Sequence, residues 1–363
     1  MNRELEALLF LSHLPHVGAM KMRLLIAHFG SAAAALQAKA EDLTLLPGFG
    51  PRILHTWAEK EKYSHWEQTL HLAQRLGIHI IPYTSSEYPK RLLEIVDHPL
   101  ILYMKGTFLP RDQRCIAIVG TRQSSIYGKE MAERLGYELA QAGFTIVSGL
   151  ARGIDTAAHE GACRSGRTFA VLGSGLGHIY PKENEKLAHE IQTKGALLSE
   201  FPISTPPDRQ LFPQRNRIVS GMTLGTILVE APAQSGAMIT VERALSQGRK
   251  VFALPGRVDQ ENFQGNHRLI KFQQGQLIEN SQDVIMHYDD LLAPLSFRPI
   301  AHTKPALEPE EEELMRMLPQ EELSIEDVAM KSRLPIAKVS VLLMSLVLKK
   351  CIKEYPGKIY KKC

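Results

Sequence analysis

Cysteine is scarce in this sequence, and its spacing excludes the common cysteine-based sites. The 363 residues contain 4 cysteines, at Cys115, Cys163, Cys351 and Cys363. They form no Cys-x-x-Cys pair and have no histidine at ligand spacing, so neither a zinc site nor a disulfide framework is predicted. A reducing compartment is therefore the simplest location.

Long hydrophobic runs are also missing. The N-terminal segment contains Glu4 and Glu6, and His13 interrupts its short apolar run. It is neither a signal peptide nor a membrane span, which needs about 20 apolar residues. We therefore expect a cytoplasmic protein without a membrane partner. A formal net charge of only +4 permits a polyanionic partner without requiring one.

The nucleotide-binding signatures are absent as well. The sequence contains no Gly-x-Gly-x-x-Gly and no Gly-x-x-x-x-Gly-Lys-Ser/Thr, so neither a dinucleotide nor ATP is indicated. It also lacks His-Glu-x-x-His, a Ser/His/Asp order and a paired-carboxylate motif. We therefore predict no cofactor, no metal and no catalytic residue.

Residues 78–293 show a β/α rhythm, in which short apolar runs alternate with helical stretches. Because both faces of the runs are apolar, they favour a mostly parallel sheet covered by helices, a doubly wound, Rossmann-like α/β fold. The candidate strands are residues 78–83, 115–120, 144–149, 168–173, 196–201, 226–231 and 250–256.

A helical domain is predicted at residues 1–77. Two stretches interrupt its helices, LPHVGAMKMRLL at 14–25 and LPGFGPRIL at 46–54. The second has the form of a helix-hairpin-helix turn, in which Gly48 and Gly50 let the backbone aim amides at a DNA phosphate, and the first is a looser copy. The alternative, that these turns only join packed helices, carries equal weight.

The C-terminal part divides into a linker, residues 294–309, and a small domain, residues 310–363. The linker contains several prolines. The domain shows helical segments followed by a β-ribbon, which resembles a winged helix with Pro335 before the recognition helix. Residues 349–363 hold six lysines and one glutamate, which suits contact with an anion. Protein docking is the stronger alternative for this domain.

The stretch IAIVGTRQSSIYGKE, residues 116–130, is the clearest candidate site. A buried strand runs directly into a polar loop, and open α/β sheets bind ligands at the carboxyl ends of their strands. We expect the loop to hold a phosphate through backbone amides, hydroxyls and one guanidinium. Its candidate binding residues are Gly120, Thr121, Arg122, Ser124 and Ser125.

Other strand ends repeat this combination of glycine and positive charge. Glycines allow close approach of the backbone to a ligand, and arginines and lysines supply the charge for several phosphates in a row. The further candidate DNA-binding residues are Gly149, Arg152, Gly153, Ser174, Gly175, Lys182, Arg209, Phe212, Arg215, Asn216, Arg217, Ser235 and Gly236.

Two of these residues have specific predicted roles. Phe212 lies within a basic stretch and offers a platform on which a base stacks, an interaction worth about 1 to 3 kcal/mol per base. Core packing is the alternative. Asn216 is expected to bridge two strand-end loops through its amide, and so to be structural.

An enzyme interpretation rests on three side chains. Asp155 and His159 lie at positions i and i+4, which suits an acid/base pair. We favour a structural role, with Asp155 as a helix N-cap and His159 as a satisfied interior residue. Glu230 ends a predicted strand and is a candidate general acid, but no nucleophile accompanies it in the sequence.

Six sequence blocks together resemble the DprA/Smf family of bacterial DNA-processing proteins, over roughly residues 80–280. They are IAIVGTRQSSIYG, SGLARGIDTAAH, AVLGSGLGHIYP, FPQRNRIVSGM, VEAPAQSGAMITVERAL and GRKVFALPG. The resemblance implies a non-catalytic cytosolic protein that binds single-stranded DNA, usually as a homodimer, and loads the RecA recombinase during natural transformation.

The resemblance also assigns roles to residues. It implies that Arg122 and Lys182 hold the DNA backbone, that Arg209 is a basic contact, and that Phe212 stacks a base. The sequence departs from the family where Gln276 replaces an alanine. Two alternatives remain: a phosphoribohydrolase acting on nucleoside monophosphates, whose PGGxGTxxE motif is missing around Glu230, and a protein-docking scaffold.

Overall fold

The protein forms two compact units, Met1–Ala293 and Pro294–Cys363. The structure is a computed structural model and describes residues 3–63, 66–288, 307–319, 322–349, 351–355 and 357–362. The predicted linker, residues 294–309, lies mostly outside these ranges. No helix within the described ranges is long and apolar enough to span a membrane.

The first unit begins with a helical part. Its helices are α1 (Arg3–His13), α2 (Ala19–Phe29), α3 (Ala32–Gln37), α4 (Pro51–Ala58) and α5 (Trp66–Leu76). Buried side chains from α1 to α5, such as Leu8 and Trp57, share one hydrophobic cluster with strand residues such as Leu197. This part is therefore packed onto the α/β part that follows.

The turns before α2 and α4 have matching backbones. The N–H of Val17 donates to the carbonyl of Leu14 at 3.1 Å, and the N–H of Phe49 donates to that of Leu46 at 3.2 Å. The intervening residue has a positive φ in both turns, 67° at His16 and 81° at Gly48. The first turn therefore repeats the second, although a histidine occupies the position that favours glycine.

The α/β part is built on a 9-stranded sheet with the order β1-β2-β6-β5-β4-β3-β7-β8-β9. Its strands are β1 (His79–Pro82), β2 (Ile101–Gly106), β3 (Cys115–Val119), β4 (Thr145–Ser148), β5 (Arg167–Val171), β6 (Ala196–Ser199), β7 (Gly225–Leu228), β8 (Lys250–Ala253) and β9 (Gln276–Leu277). The seven strands from β6 to β9 in this spatial order pair parallel with one another. Strands β1 and β2 form an antiparallel edge next to β6. The predicted mostly parallel sheet is confirmed, but the sequence interpretation missed β2 and β9.

Helices cover both faces of this sheet. They are α6 (Ile126–Gln141), α7 (Ile154–Ser165), α8 (Glu185–Lys194), α9 (Leu211–Gly221), α10 (Gly236–Ser246), α11 (Gln264–Lys271) and α12 (Ser281–His287). Buried residues of α6, α7 and α12 pack with one set of strand side chains, and those of α9, α10 and α11 with another. The sheet is thus buried on both sides, as its apolar strands require.

The strand order reverses at β3, which lies between β4 and β7. The chain moves outward from β3 through β4, β5 and β6, and then returns to the other side of β3 as β7. In an open α/β sheet a crevice forms at such a reversal, outside the carboxyl ends of the strands. The loops that follow Val119 and Leu228 therefore face each other at the place where a ligand is expected.

The second unit contains helices and a small antiparallel sheet. Its elements are α13 (Pro309–Met317), β10 (Leu323–Ser324), α14 (Ile325–Ser332), α15 (Ile336–Leu348), β11 (Ile352–Tyr355) and β12 (Ile359–Lys362). The sheet order is β10-β12-β11. Residues such as Leu314, Val328 and Leu343 form its own core, so the unit has the means to fold around its own apolar side chains.

Candidate nucleic-acid interface

A cleft of about 650 Å³ opens at the reversal of strand order. It lies between the loops after β3, β4 and β7, the N-terminal half of α9 and the start of α10. The predicted residues that line it are Gly120, Thr121, Arg122, Gly149, Arg209, Phe212, Arg215, Asn216, Ser235 and Gly236. Most of the predicted site is thus brought together although its members span more than 100 positions of sequence.

Arg122 and Phe212 both line this cleft and contact each other. The Cζ atom of Arg122 lies over the Phe212 ring, 5.4 Å from its centroid. The ring packs against the backbone at Gly173, where a Cβ would lie 2.5 Å from Cδ1 of Phe212. Arg122 is exposed and Phe212 is half-buried. The aromatic ring therefore borders the cleft and is not part of the interior core.

Glu230 holds the loop that carries Arg122. Its backbone carbonyl accepts from the N–H of Thr121 at 2.7 Å. Its fully buried carboxylate accepts from the Ser125 N–H at 3.0 Å and from the Ser125 hydroxyl at 2.7 Å. Nδ2 of Asn262 donates to the same carboxylate at 2.8 Å. The carboxylate fixes both the loop and the start of α6, so it is not placed to act as a general acid.

Arg215 puts a buried positive charge beneath the cleft. Its guanidinium donates to the carbonyl of Val171, and a Cβ at Gly149 would lie 1.9 Å from Nη1. Burial lowers the pKa of Arg215 to about 10, and the Asp155 carboxylate opposes this shift. The side chain therefore remains cationic at neutral pH. Glycine at position 149 is needed because the guanidinium occupies the space of a side chain.

Asp155 and His159 have structural surroundings. The Asp155 carboxylate accepts from the N–H groups of Gly149 at 3.1 Å and Ala151 at 3.3 Å, and burial raises its pKa. It is not the predicted N-cap, because Gly153 occupies that position of α7. Nδ1 of His159 lies 2.7 Å from the Thr168 hydroxyl, and burial lowers its pKa to about 3. His159 is thus a neutral interior residue.

Helix α10 begins at the edge of the cleft. Ser235 is its N-cap, and the Ser235 hydroxyl accepts from the N–H of Met238 at 3.4 Å. Nδ2 of Asn216 donates to the carbonyl of Gly236 at 3.3 Å. This contact ties α9 to the start of α10, whereas the predicted bridge joined two strand-end loops. The first residues of α10 line the cleft, and the N-terminal end of a helix favours anions.

Several predicted residues lie beside the cleft or away from it. Arg152 borders a small adjoining hollow, while Lys182 is exposed outside both. Gly153 has φ 77°, and because it has no side chain, the backbone can pass close to the carbonyls of Thr121 and Arg122. Gly153 therefore allows close packing of two loops, and it does not line the cleft.

Ser124, Ser125, Ser174 and Gly175 do not present ligand-binding groups to the cleft. The Ser125 hydroxyl caps α6 and binds Glu230, and the Ser124 hydroxyl is buried without a partner among the described residues. The buried Ser174 hydroxyl donates to the carbonyl of His178 at 2.7 Å. At Gly175 a Cβ would lie 2.1 Å from the carbonyl oxygen of Pro202, so this glycine serves packing.

Arg217 is held in an ion-pair cluster away from the cleft. Its guanidinium lies 3.3 Å from the Asp97 carboxylate and 2.5 Å from that of Glu200. Arg23 of α2 contributes to the same electrostatic cluster. Arg217 therefore anchors α9 to the body of the unit, and it does not line the cleft.

Tyr180 is a cleft residue that the sequence interpretation missed. It is 40% exposed, lines the cleft, and its ring centroid lies 5.7 Å from that of Phe212. Tyr180 lies two residues before Lys182, the neighbouring residue that the sequence predicts to bind DNA. The signal available in the sequence was an aromatic residue next to a strand-end glycine segment.

The fold and cleft define a doubly wound α/β protein with a cationic, aromatic-lined groove at the reversal of strand order. Residues 79–289 match the family model described as DNA recombination-mediator protein A. Protein Smf of Escherichia coli K12 is 36% identical over 300 residues, covering 80% of this chain and 79% of the relative. The chain therefore belongs to the DNA recombination-mediator protein A family.

Two solved structures are also similar. DNA processing protein A from Streptococcus pneumoniae has a TM-score of 0.67 and 32% identity, covering 79% of this chain and 97% of that one. DNA processing protein A from Helicobacter pylori has a TM-score of 0.54 and 31% identity, covering 59% of this chain and 96% of that one. The second structure concerns the single-stranded DNA binding mode of the Helicobacter protein.

Proposed function

We propose that this protein binds single-stranded DNA in the cleft beside β3 and β7. The observation that carries this proposal is the contact of Arg122 with Phe212 at the mouth of a cationic groove. A guanidinium suits a backbone phosphate, and an aromatic ring suits a base of any sequence. The described single-strand binding of the similar Helicobacter protein supports the same ligand.

The positive charges of the cleft divide into two kinds. Arg122 and Arg209 are exposed, so they are free to follow a backbone that enters from solvent. Arg215 is buried and fixed, so it contributes a constant positive field beneath the strand. The salt slope is the slope of log K for binding against the logarithm of the salt concentration. Each neutralised phosphate of a single strand makes this slope more negative by about 0.7.

The biological role we propose is loading of the RecA recombinase onto incoming single-stranded DNA in natural transformation, without catalysis. Family membership supports a role in recombination. A cytoplasmic location and a homodimeric state belong to the same proposal. The helical domain at 1–77 and a winged-helix domain at 310–363 are proposed as accessory domains of this binder.

A nucleoside-monophosphate phosphoribohydrolase is disfavoured by the position of Glu230. That carboxylate is buried and accepts hydrogen bonds from Ser125 and Asn262. A general acid or base needs to reach the reacting group, and the Glu230 carboxylate is held by hydrogen-bond donors of the protein itself. Glu230 does not line the cleft.

The proposal is tested by fluorescence anisotropy of labelled oligo-dT across a salt series, with duplex DNA as competitor. Arg122→Ala and Phe212→Ala are expected to weaken binding, and Arg122→Ala to reduce the salt slope. Arg134→Ala and Phe272→Ala are matched controls, because both side chains are exposed outside the cleft. Equal oligo-dT binding by all four variants would show that DNA does not bind in this cleft.

A further inference from the structure

The small hollow that adjoins the cleft combines positive charge with two aromatic rings. Arg122, Arg152 and Arg215 supply the charge, and Tyr180 and Phe212 supply the rings. None of the described residues that line the hollow is acidic. Because both aromatic residues and Arg122 also line the cleft, the hollow continues the cleft past the Tyr180 ring. A strand that leaves the cleft on this side therefore meets Arg152.

Arg152 is not a free cation, because Glu183 binds it. Nε of Arg152 donates a hydrogen bond to the Glu183 carboxylate, and the two side chains are 56% and 51% exposed. This hydrogen bond raises the pKa of the Arg152 guanidinium and lowers the pKa of the Glu183 carboxyl, so both groups are ionised at neutral pH. The charge of Arg152 is thus compensated by an acidic side chain that lies just outside the hollow.

The pairing of Arg152 with Glu183 follows from how their two segments are held together. Asn184, the residue after Glu183, is buried. Its Nδ2 donates to the carbonyl of Leu150 at 2.9 Å and to the hydroxyl of Thr156 at 2.8 Å. These bonds fix the segment after β4 against the segment before α8. The two charged side chains therefore extend from backbones at a fixed separation, which an exposed ion pair between two independent loops lacks.

A carboxylate at this position opposes the binding of a DNA phosphate. A phosphate that reaches the Arg152 guanidinium either replaces Glu183 as its partner or lies beside a like charge. Exposed ion pairs are weak, so a phosphate is able to displace the carboxylate. The exchange lowers the affinity for DNA, however, because like charges at a binding surface repel each other.

We propose that Glu183 limits the affinity of the protein for single-stranded DNA by competing with a backbone phosphate for Arg152. This inference rests on the proposed binding of single-stranded DNA in the cleft. The strand is held firmly at Arg122 and Phe212, and weakly where it leaves the cleft beside Arg152. Such a difference lets one side of the bound strand detach first, which suits a protein that passes its strand on to a recombinase.

A double-mutant cycle at Arg152 and Glu183 tests this competition, with oligo-dT binding followed by fluorescence anisotropy. Glu183→Gln removes the charge and keeps the length of the side chain. It is expected to tighten binding by about threefold to tenfold at low salt, and to make the salt slope more negative by up to about 0.7. Arg152→Ala is expected to weaken binding at least about threefold more in the Glu183→Gln background than in the wild type.

Glu190→Gln is the matched control for the change in net charge. Glu190 is exposed on α8, and its substitution removes the same charge as Glu183→Gln. We expect Glu190→Gln to bind oligo-dT with an affinity and a salt slope close to those of the wild type. Circular dichroism checks that every variant is folded, which the exposure of Arg152 and Glu183 favours.

Three results would overturn the proposal. Equal affinity of Glu183→Gln and the wild type means that the carboxylate does not compete with DNA. An equal gain in Glu190→Gln means that net charge alone sets the affinity. A gain from Glu183→Gln that is the same with and without Arg152 means that this guanidinium is not the contested group. Each result leaves wild-type binding in the cleft intact, whereas a wild type that does not bind oligo-dT rejects the proposed function itself.

Discussion

The guanidinium of Arg122 lies over the ring of Phe212, with its Cζ atom 5.4 Å from the ring centroid. The residues proposed to hold a phosphate and a base thus contact each other in the free protein. This cation–π contact contributes about 0.5 to 1 kcal/mol at an exposed site. A base that stacks on this face of the ring must move the guanidinium, so the two DNA contacts are coupled.

The first prediction is that substitutions at Arg122 and Phe212 are not additive. Phe212→Leu is expected to weaken oligo-dT binding by about 1 to 3 kcal/mol, the usual loss for one stacked base. Arg122→Ala removes a phosphate contact but also uncovers the ring, so its effect depends on residue 212. We expect a coupling energy of at least about 0.5 kcal/mol in a double-mutant cycle measured by anisotropy. Strict additivity would show that the base does not use the covered face.

The second prediction separates two arginines that look alike in the sequence. Arg209 is exposed at the cleft, whereas Arg217 is paired with Asp97 and Glu200. Arg209→Ala is expected to lower the salt slope of oligo-dT binding by about 0.7 with little effect on stability. Arg217→Ala is expected to destabilise the protein by about 3 kcal/mol, since it breaks a largely buried ion pair and leaves only Arg23 near the Glu200 carboxylate.

Measurements at two ionic strengths and a urea titration decide this comparison. For Arg217→Ala, binding is measured at a temperature where the variant is fully folded, so that lost structure is not mistaken for lost contact. An unchanged salt slope for Arg209→Ala, or a reduced slope for folded Arg217→Ala, would reverse the assignment of these two side chains.

The third prediction concerns Glu230, which holds the Arg122 loop and does not line the cleft. Glu230→Gln replaces one acceptor by an amide donor, which faces the donors of Ser125 and Asn262. We expect a loss of stability of about 1 to 3 kcal/mol and weaker binding of oligo-dT. Glu242→Gln, an exposed change on α10, is the control. Hydrolysis of nucleoside monophosphates that disappears in Glu230→Gln alone would instead favour the enzyme.

The sequence was informative where local pattern and sheet topology act together. Apolar runs ending in glycine predicted β3, β4, β5 and β8, and a further apolar run predicted β7. The strand-end rule then brought Arg122, Gly149 and Ser235 to one cleft. Strand β2 was not predicted, and its antiparallel pairing with β6 is set by tertiary structure, not by its own sequence.

Arg209 and Arg217 show why the remaining site was not predictable. Both lie in the same basic stretch, and only distant partners distinguish them. Asp97 and Glu200 are far from Arg217 along the chain, and folding brings them together. The Ser125 hydroxyl was likewise assigned to a ligand, because nothing near it in sequence reveals that Glu230 already accepts its hydrogen bond.

The fourth prediction is an acid sensitivity that originates at His159. Burial, with a smaller contribution from the Arg215 charge, lowers its pKa from the ordinary 6.5 to about 3. Below pH 6.5 the unfolded chain therefore binds a proton that the folded protein does not bind. This side chain contributes stability that is fully present above pH 6.5 and falls by roughly 1.4 kcal/mol per unit as the pH decreases toward 3.

Urea unfolding followed by tryptophan fluorescence measures this effect in the first unit, where Trp57 is buried. We compare the wild type with His159→Gln between pH 7 and pH 5. The variant is expected to be less stable at pH 7, because it repacks the contact with Thr168, but to lose less stability on acidification. His178→Gln, at an exposed position, should keep the wild-type slope. Identical slopes in the wild type and His159→Gln would show that the imidazole does not stay neutral in the fold.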